Sequence, residues 1–217
     1  MADTTPTNPI NRRGLPSWAI ILGILLLLIL MIGGCAVNVQ RSMVTYDENT
    51  NKKWADVQSS YQRRADLIPN LVETVKGAAD FEQETLIGVV EARAKATQIT
   101  IDPSTATPEQ FAAFQQAQDG LSSALSRLLV TVEQYPQLTA TQNFRDLQAQ
   151  LEGTENRINV SRNEFNEATQ QYNTYIRKFP NNFFAGMFGF SKRSMFQASP
   201  GSEESPKVDF NTEEEKK

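Results

Sequence analysis

From residue 54 onward the apolar positions recur every three or four residues, the spacing that lines one face of an α-helix. Trp54, Val57, Tyr61, Arg64, Ile68, Leu71 and Val75 form one such seam, with a single arginine in an otherwise apolar row. A second seam runs from Phe144 through Leu147, Leu151, Thr154, Ile158, Ser161, Phe165, Ala168, Tyr172 and Tyr175 to Phe179. Between them Phe111, Phe114, Leu121, Leu125, Leu128 and Val132 keep the same phase. Thr107, Pro108 and Gln110 read as the start of that middle helix: a threonine N-cap, proline in the first turn, and a glutamine placed for a capping box. Tyr135-Pro136 is its expected end, because a proline disfavours the helical conformation of the residue before it. No stretch alternates apolar and polar residues as a half-buried strand does.

A continuous helix over 36–99 would extend about 95 Å, too long for the later helices to cover, and would leave Trp54, Val57 and Tyr61 in water. A break near Gly77–Asp80 removes the difficulty, with Gly77 ending one helix and Asp80 with Gln83 capping the next. The expected fold class is therefore all-α: an N-terminal membrane-spanning helix followed by an elongated antiparallel four-helix bundle, running 36–77, 80–99, 108–134 and 140–179. Three long helices are the alternative if 36–99 is continuous. Pairing the outer helices antiparallel sets Trp54 beside Phe165, Tyr61 beside Ile158 and Arg64 opposite Glu155. A partly buried Arg64–Glu155 ion pair that fixes register is expected there. Pro69 has no N–H to offer the Ala65 carbonyl, so it should kink the first helix without ending it.

Ahead of this body lies SWAIILGILLLLILMIGG, residues 17–34, which carries no charge. It matches the ~20 apolar residues that a helix needs to cross the hydrocarbon of a bilayer. Arg12 and Arg13 precede it and no lysine or arginine follows until Arg41. The positive-inside bias then puts the N-terminus in the cytoplasm and the rest of the chain outside. IGGC, residues 32–35, also resembles the lipobox of bacterial lipoproteins, which would make Cys35 an acylated residue and remove the segment before it. A retained anchor and a lipid anchor both tether the body to a membrane. The expected organisation is a polar, proline-rich cytoplasmic tail at 1–16, an anchor at 17–35, a helical body at 36–197 and a disordered acidic tail at 198–217.

Composition narrows the chemistry. The chain of 217 residues has a formal net charge of -4, no histidine and one cysteine. Nucleic-acid binding has no basic face to rest on. Histidine acid–base catalysis, Cys–His nucleophiles and nearly all zinc sites are excluded by residue type. No cofactor, metal or catalytic residue is expected. Asp66, Glu73, Glu84, Glu91, Glu152 and Glu155 could in principle pair for hydrolysis, yet their spread along long helices fits solvent-side ion pairs. GMFG, residues 186–189, follows no strand and precedes no evident helix, so it is no phosphate loop.

Two stretches remain as candidate contact surfaces. Asn156, Asn159, Asn163, Asn166, Gln170 and Asn173 recur at helical spacing. Asparagine is a mediocre helix former, so an amide-lined face for another helix, a second copy or a glycan is one reading and a solvated or bundle-edge face the other. FFAGMFGF, residues 183–190, is the longest apolar run outside the anchor and is followed by Lys192 and Arg193. Phe183, Phe184, Met187, Phe188 and Phe190 are thus candidates for touching lipid or a partner; the bland reading is a loop folded back to cap the body.

QRRADLIPNLVETVKG (62–77), EARAKA (91–96), LSRLLVTVEQYPQL (125–138), FRDLQAQLEGTENRI (144–158) and FPNNFFAGMFGF (179–190) together resemble the LemA family of bacterial envelope proteins, over about residues 40–197. Ala78 and Asp80 depart from the family's usual pattern, as does Phe165, which stands in place of a tyrosine. The resemblance implies one N-terminal anchor and an extracytoplasmic helical bundle; it supplies no reaction. The expected function is a membrane-anchored, non-enzymatic interaction or scaffold protein of the cell envelope, partnered by another envelope protein or by itself. A ligand-binding or sensing module is the alternative.

Overall fold

The computed structural model describes residues 17–77 and 81–197. Among these the chain is all-helical, with no strand. Helix α1 spans Ser17–Lys76, α2 Gln83–Gln98, α3 Pro108–Val132, α4 Pro136–Thr139, α5 Gln142–Arg177 and α6 Asn181–Phe188. The apolar segment and the first helix of the body are thus one uninterrupted element, and the chain leaves it at Gly77. The tails at 1–16 and 198–217, and Ala78 and Asp80, lie outside the described residues. Glu82 occupies the N-cap of α2 and makes no side-chain capping bond.

Local chemistry explains most boundaries. Thr107 Oγ1 accepts from the Gln110 amide while Gln110 Oε1 accepts from the Thr107 amide, and the reciprocal pair opens α3. Thr141 Oγ1 accepts from the Phe144 amide at the start of α5. Two elements differ from the sequence expectation. The chain after Val132 turns into the single-turn helix α4, whose Leu138 is buried, so the body gains a cap between α3 and α5. Residues 181–188 form a true helix, α6, where no helix was placed: Asn182 N–H reaches back to the Lys178 carbonyl, and Gly189 ends the helix in the left-handed conformation, φ 78°. The second seam also stops earlier than its spacing implied. Ile176 is buried, whereas Phe179 lies past the end of α5 and faces outward.

Helix α1 packs along α5, α2 packs along α3, and α2 also touches α1. The bonds Lys53–Glu164, Ser60–Ser161 and Arg64–Glu155 run up α1 as they run down α5, so these two helices are antiparallel. Three clusters of buried side chains follow one another along the rod. Nearest the Lys76 end, Ile68, Leu71 and Val75 meet Leu121, Leu128, Val132, Phe144 and Leu151. In the middle, Trp54 is ringed by Phe111, Phe114, Phe165 and Phe196, with ring centroids 5.2–6.1 Å away. Toward the apolar segment, Val39 and Met43 meet Tyr172, Ile176, Phe184 and Ala185.

Candidate functional site

The arginine in the first seam sits where four helices meet. Arg64 is buried, and its Nη1 donates to Glu155 Oε2 at 2.9 Å and to Ser122 Oγ at 2.6 Å. Its Nη2 donates to Gln118 Oε1 at 2.7 Å. Gln118 in turn donates from Nε2 to the Ala96 carbonyl on α2 at 3.0 Å, so one guanidinium ties α1, α3 and α5 directly and α2 through an amide. Glu155 keeps 44% of its side chain in solvent, which spares the pair the full desolvation cost of a buried ion pair. Beside it, burial pushes the Tyr61 hydroxyl up to about 12, against the opposing pull of Arg162 and Arg64. That hydroxyl has no hydrogen-bond partner among the described residues. The arrangement locks helices together.

A second polar group closes a gap in α1 itself. The Ala65 carbonyl, which Pro69 cannot serve, accepts from Nε of Arg93 on α2 at 2.8 Å. Sequence reasoning foresaw the vacancy and missed the residue that fills it.

The amide row divides. Asn156, Asn159, Asn163 and Gln170 are exposed, whereas Asn173 is buried and Asn166 half-buried. Asn173 Nδ2 donates to the Arg193 carbonyl and its Oδ1 accepts from the Arg193 amide, both at 2.9 Å. Asn166 grips Phe196 in the same two-handed way, at 3.0 and 2.9 Å. Gln115 on α3 does so to Gln197, at 2.8 and 3.1 Å. Seven helical residues, from 166 to 173, rise about 10.5 Å, and three extended residues cover about 10 Å. The segment 190–197 therefore runs extended along the body, a strap held by side-chain amides that stand in for a neighbouring strand. Tyr172 Oη donates to the Ser191 carbonyl at 2.9 Å. The Arg193 side chain is buried against Asp47 Oδ1 and Asn51 Oδ1, both at 2.8 Å, and Phe196 drops into the Trp54 cluster. Asn166 and Asn173 are thus spent on the chain's own strap, and the exposed remainder of the row is Asn156, Asn159, Asn163 and Gln170.

The apolar run divides as well. Phe184 is buried against α1 and α5, and Phe190 is half-buried in the same cluster. Phe183 and Met187 face outward, and Phe188 is partly exposed. Cys35 is a free, exposed thiol on α1. Of the six carboxylates named above, Glu155 is engaged with Arg64 and the others are exposed, and the described residues contain no group of acidic or cysteine side chains able to hold a metal.

The sequence pattern that defines the LemA family matches residues 53–210, most of the chain. The chain belongs to the LemA family. Magnetosome protein MamQ 1 of Paramagnetospirillum magneticum is 28% identical over 73% of the chain. Magnetosome protein MamQ of Magnetospirillum gryphiswaldense is 27% identical over the same share, and the chain spans 65% of the length of either relative. Protein LemA of Metamycoplasma hominis is 24% identical over 73% of the chain and 67% of its own length. Among the described residues of this LemA-family chain one helix is long and apolar enough to cross a membrane, and none of the apolar window within it is buried.

Proposed function

We propose that this LemA-family chain is a membrane-anchored, non-enzymatic interaction protein of the cell envelope. In this reading its N-terminus is cytoplasmic, α1 spans the membrane once, and an antiparallel four-helix body stands outside. The carrying observation is how its polar residues are spent. The largest of those that are buried, Arg64, Gln118, Gln115, Asn173 and Arg193, hold helices and strap together. What remains unspent on α5 is a row of exposed amides, Asn156, Asn159, Asn163 and Gln170, able to donate and accept but not to transfer protons. Such a row suits a protein surface, read by another envelope protein or by a second copy.

Photo-crosslinking in cells from position 163 tests this. A single dominant foreign adduct, or a self-adduct, supports an adaptor or a self-assembling scaffold. Absence of any adduct, with normal membrane recovery of the chain, overturns it. One observation favours a second reading: an open groove between the strap and α3, lined by Ala112, Gln116, Asp119, Lys192 and Met195, has the mixed lining of a ligand site. A saturable thermal shift with an envelope glycan or small molecule would select that alternative.

A further inference from the structure

The outward face of α6, with Phe179 just before it, is unpartnered among the described residues. Phe179 is 88% exposed, Phe183 71% and Met187 61%, while Phe184 and Ala185 on the opposite face pack against Val39 and Met43 of α1. This placement fixes the height of α6. The apolar stretch Trp18–Val37, exposed but for Ala19 and Ala36 near its two ends, covers about 30 Å as a helix, the thickness of bilayer hydrocarbon. Val39 and Met43 lie roughly 3 and 9 Å beyond its outer end along α1. That is the slab occupied by headgroups, where amphipathic helices bury their apolar faces. Charge agrees with position. Between Trp18 and Tyr46, and again between Ala168 and Gln197, the chain contains no aspartate or glutamate. In the same stretches Arg41, Arg177, Lys178 and Lys192 are exposed, and Arg193 already has its acid in Asp47.

We propose that α6 is a foot seated in the outer headgroup region of the bilayer that α1 crosses, with Phe179, Phe183 and Met187 inserted toward the acyl chains and the exposed cations set against anionic headgroups. The occupant is lipid, because the patch continues the lipid-facing surface of α1 at the height where that surface ends. The proposal rests on the membrane-anchored reading, and its test separates the two.

The full chain with Cys35→Ser is reconstituted in vesicles of phosphatidylcholine and phosphatidylglycerol, with an environment-sensitive fluorophore on one introduced cysteine. Met187→Cys reports the foot, Val37→Cys the outer end of the span, and Asn163→Cys the aqueous body. Expected are blue-shifted emission at 187, quenching by a lipid with its nitroxide just below the headgroup as strong as at 37, and shielding from iodide; position 163 shows the reverse. If 37 is quenched by lipid and 187 by iodide, the anchor stands and the foot is overturned. If 187 is shielded from both quenchers, a protein covers α6 and the lipid assignment is overturned. If 37 itself escapes the lipid quencher, the anchor fails and the foot with it.

Discussion

Arg93 completes a hydrogen bond that Pro69 leaves open, which makes the two residues one functional unit although they sit on different helices. Arg93→Ala strands the buried Ala65 carbonyl and should cost about 1–3 kcal/mol in urea unfolding. In a Pro69→Ala background the helix supplies its own donor, so the same substitution should cost distinctly less; equal costs in both backgrounds would show that the Arg93 contact carries nothing. Tyr61 makes a second expectation. Its hydroxyl titrates near 10 when unfolded and is held up to about 12 by burial when folded. Stability is therefore fully present below pH 10 and is lost as pH rises toward 12, by about 2–3 kcal/mol at saturation. Tyr61→Phe should be near neutral at pH 7 and should flatten the alkaline fall, measured as Tm against pH. Of these residues, the role of Arg64 in the seam was legible, because a lone cation in an apolar row needs an acid and the antiparallel register supplies Glu155. Gln118 fills the vacant seam position between Phe114 and Leu121, a signal that went unused, whereas Ser122 lies one residue off that seam and carries no such mark.

At the scale of elements, helical periodicity and capping chemistry placed α3 and α5 to within a few residues, because both signals are local. The strap was hidden for the opposite reason. It has no backbone partner strand and no periodicity, and its grips, Gln115, Asn166 and Asn173, lie far from it in sequence. The one available signal was the asparagines themselves, poor helix formers kept at seven-residue spacing in the middle of a long helix. They were read as facing either a partner or the solvent and bundle edge, and two of them face residues 193 and 196 of their own chain. Helix α6 was hidden because it is short and opens after Pro180. Asn173→Ala removes both bonds to Arg193 and leaves that backbone buried, so hydrogen exchange and proteolysis at 191–197 should rise sharply while α3 and α5 stay protected. Phe196→Ala empties the aromatic cluster and should cost about 3 kcal/mol. Strap exposure unchanged in Asn173→Ala would mean that the other grips, Asn166, Gln115, the Arg193–Asp47 pair and Phe196, hold the segment without it.

For the whole molecule, the feature that matters most is that α1 runs unbroken from Ser17 to Lys76. A shared helix means a shared phase: each residue inserted between span and body turns one against the other by about 100° and lifts the body about 1.5 Å. One alanine placed between Val37 and Asn38 would leave the body at nearly the same height but facing a different way. Seven alanines would nearly restore the heading, some 20° short of two full turns, while raising the body about 10 Å. A partner that touches both the span and the amide row should be lost with one inserted residue and recovered with seven, whereas contact between α6 and lipid should survive one and fail with seven. The continuous helix thus separates heading from altitude, two quantities that a flexible tether would have blurred together.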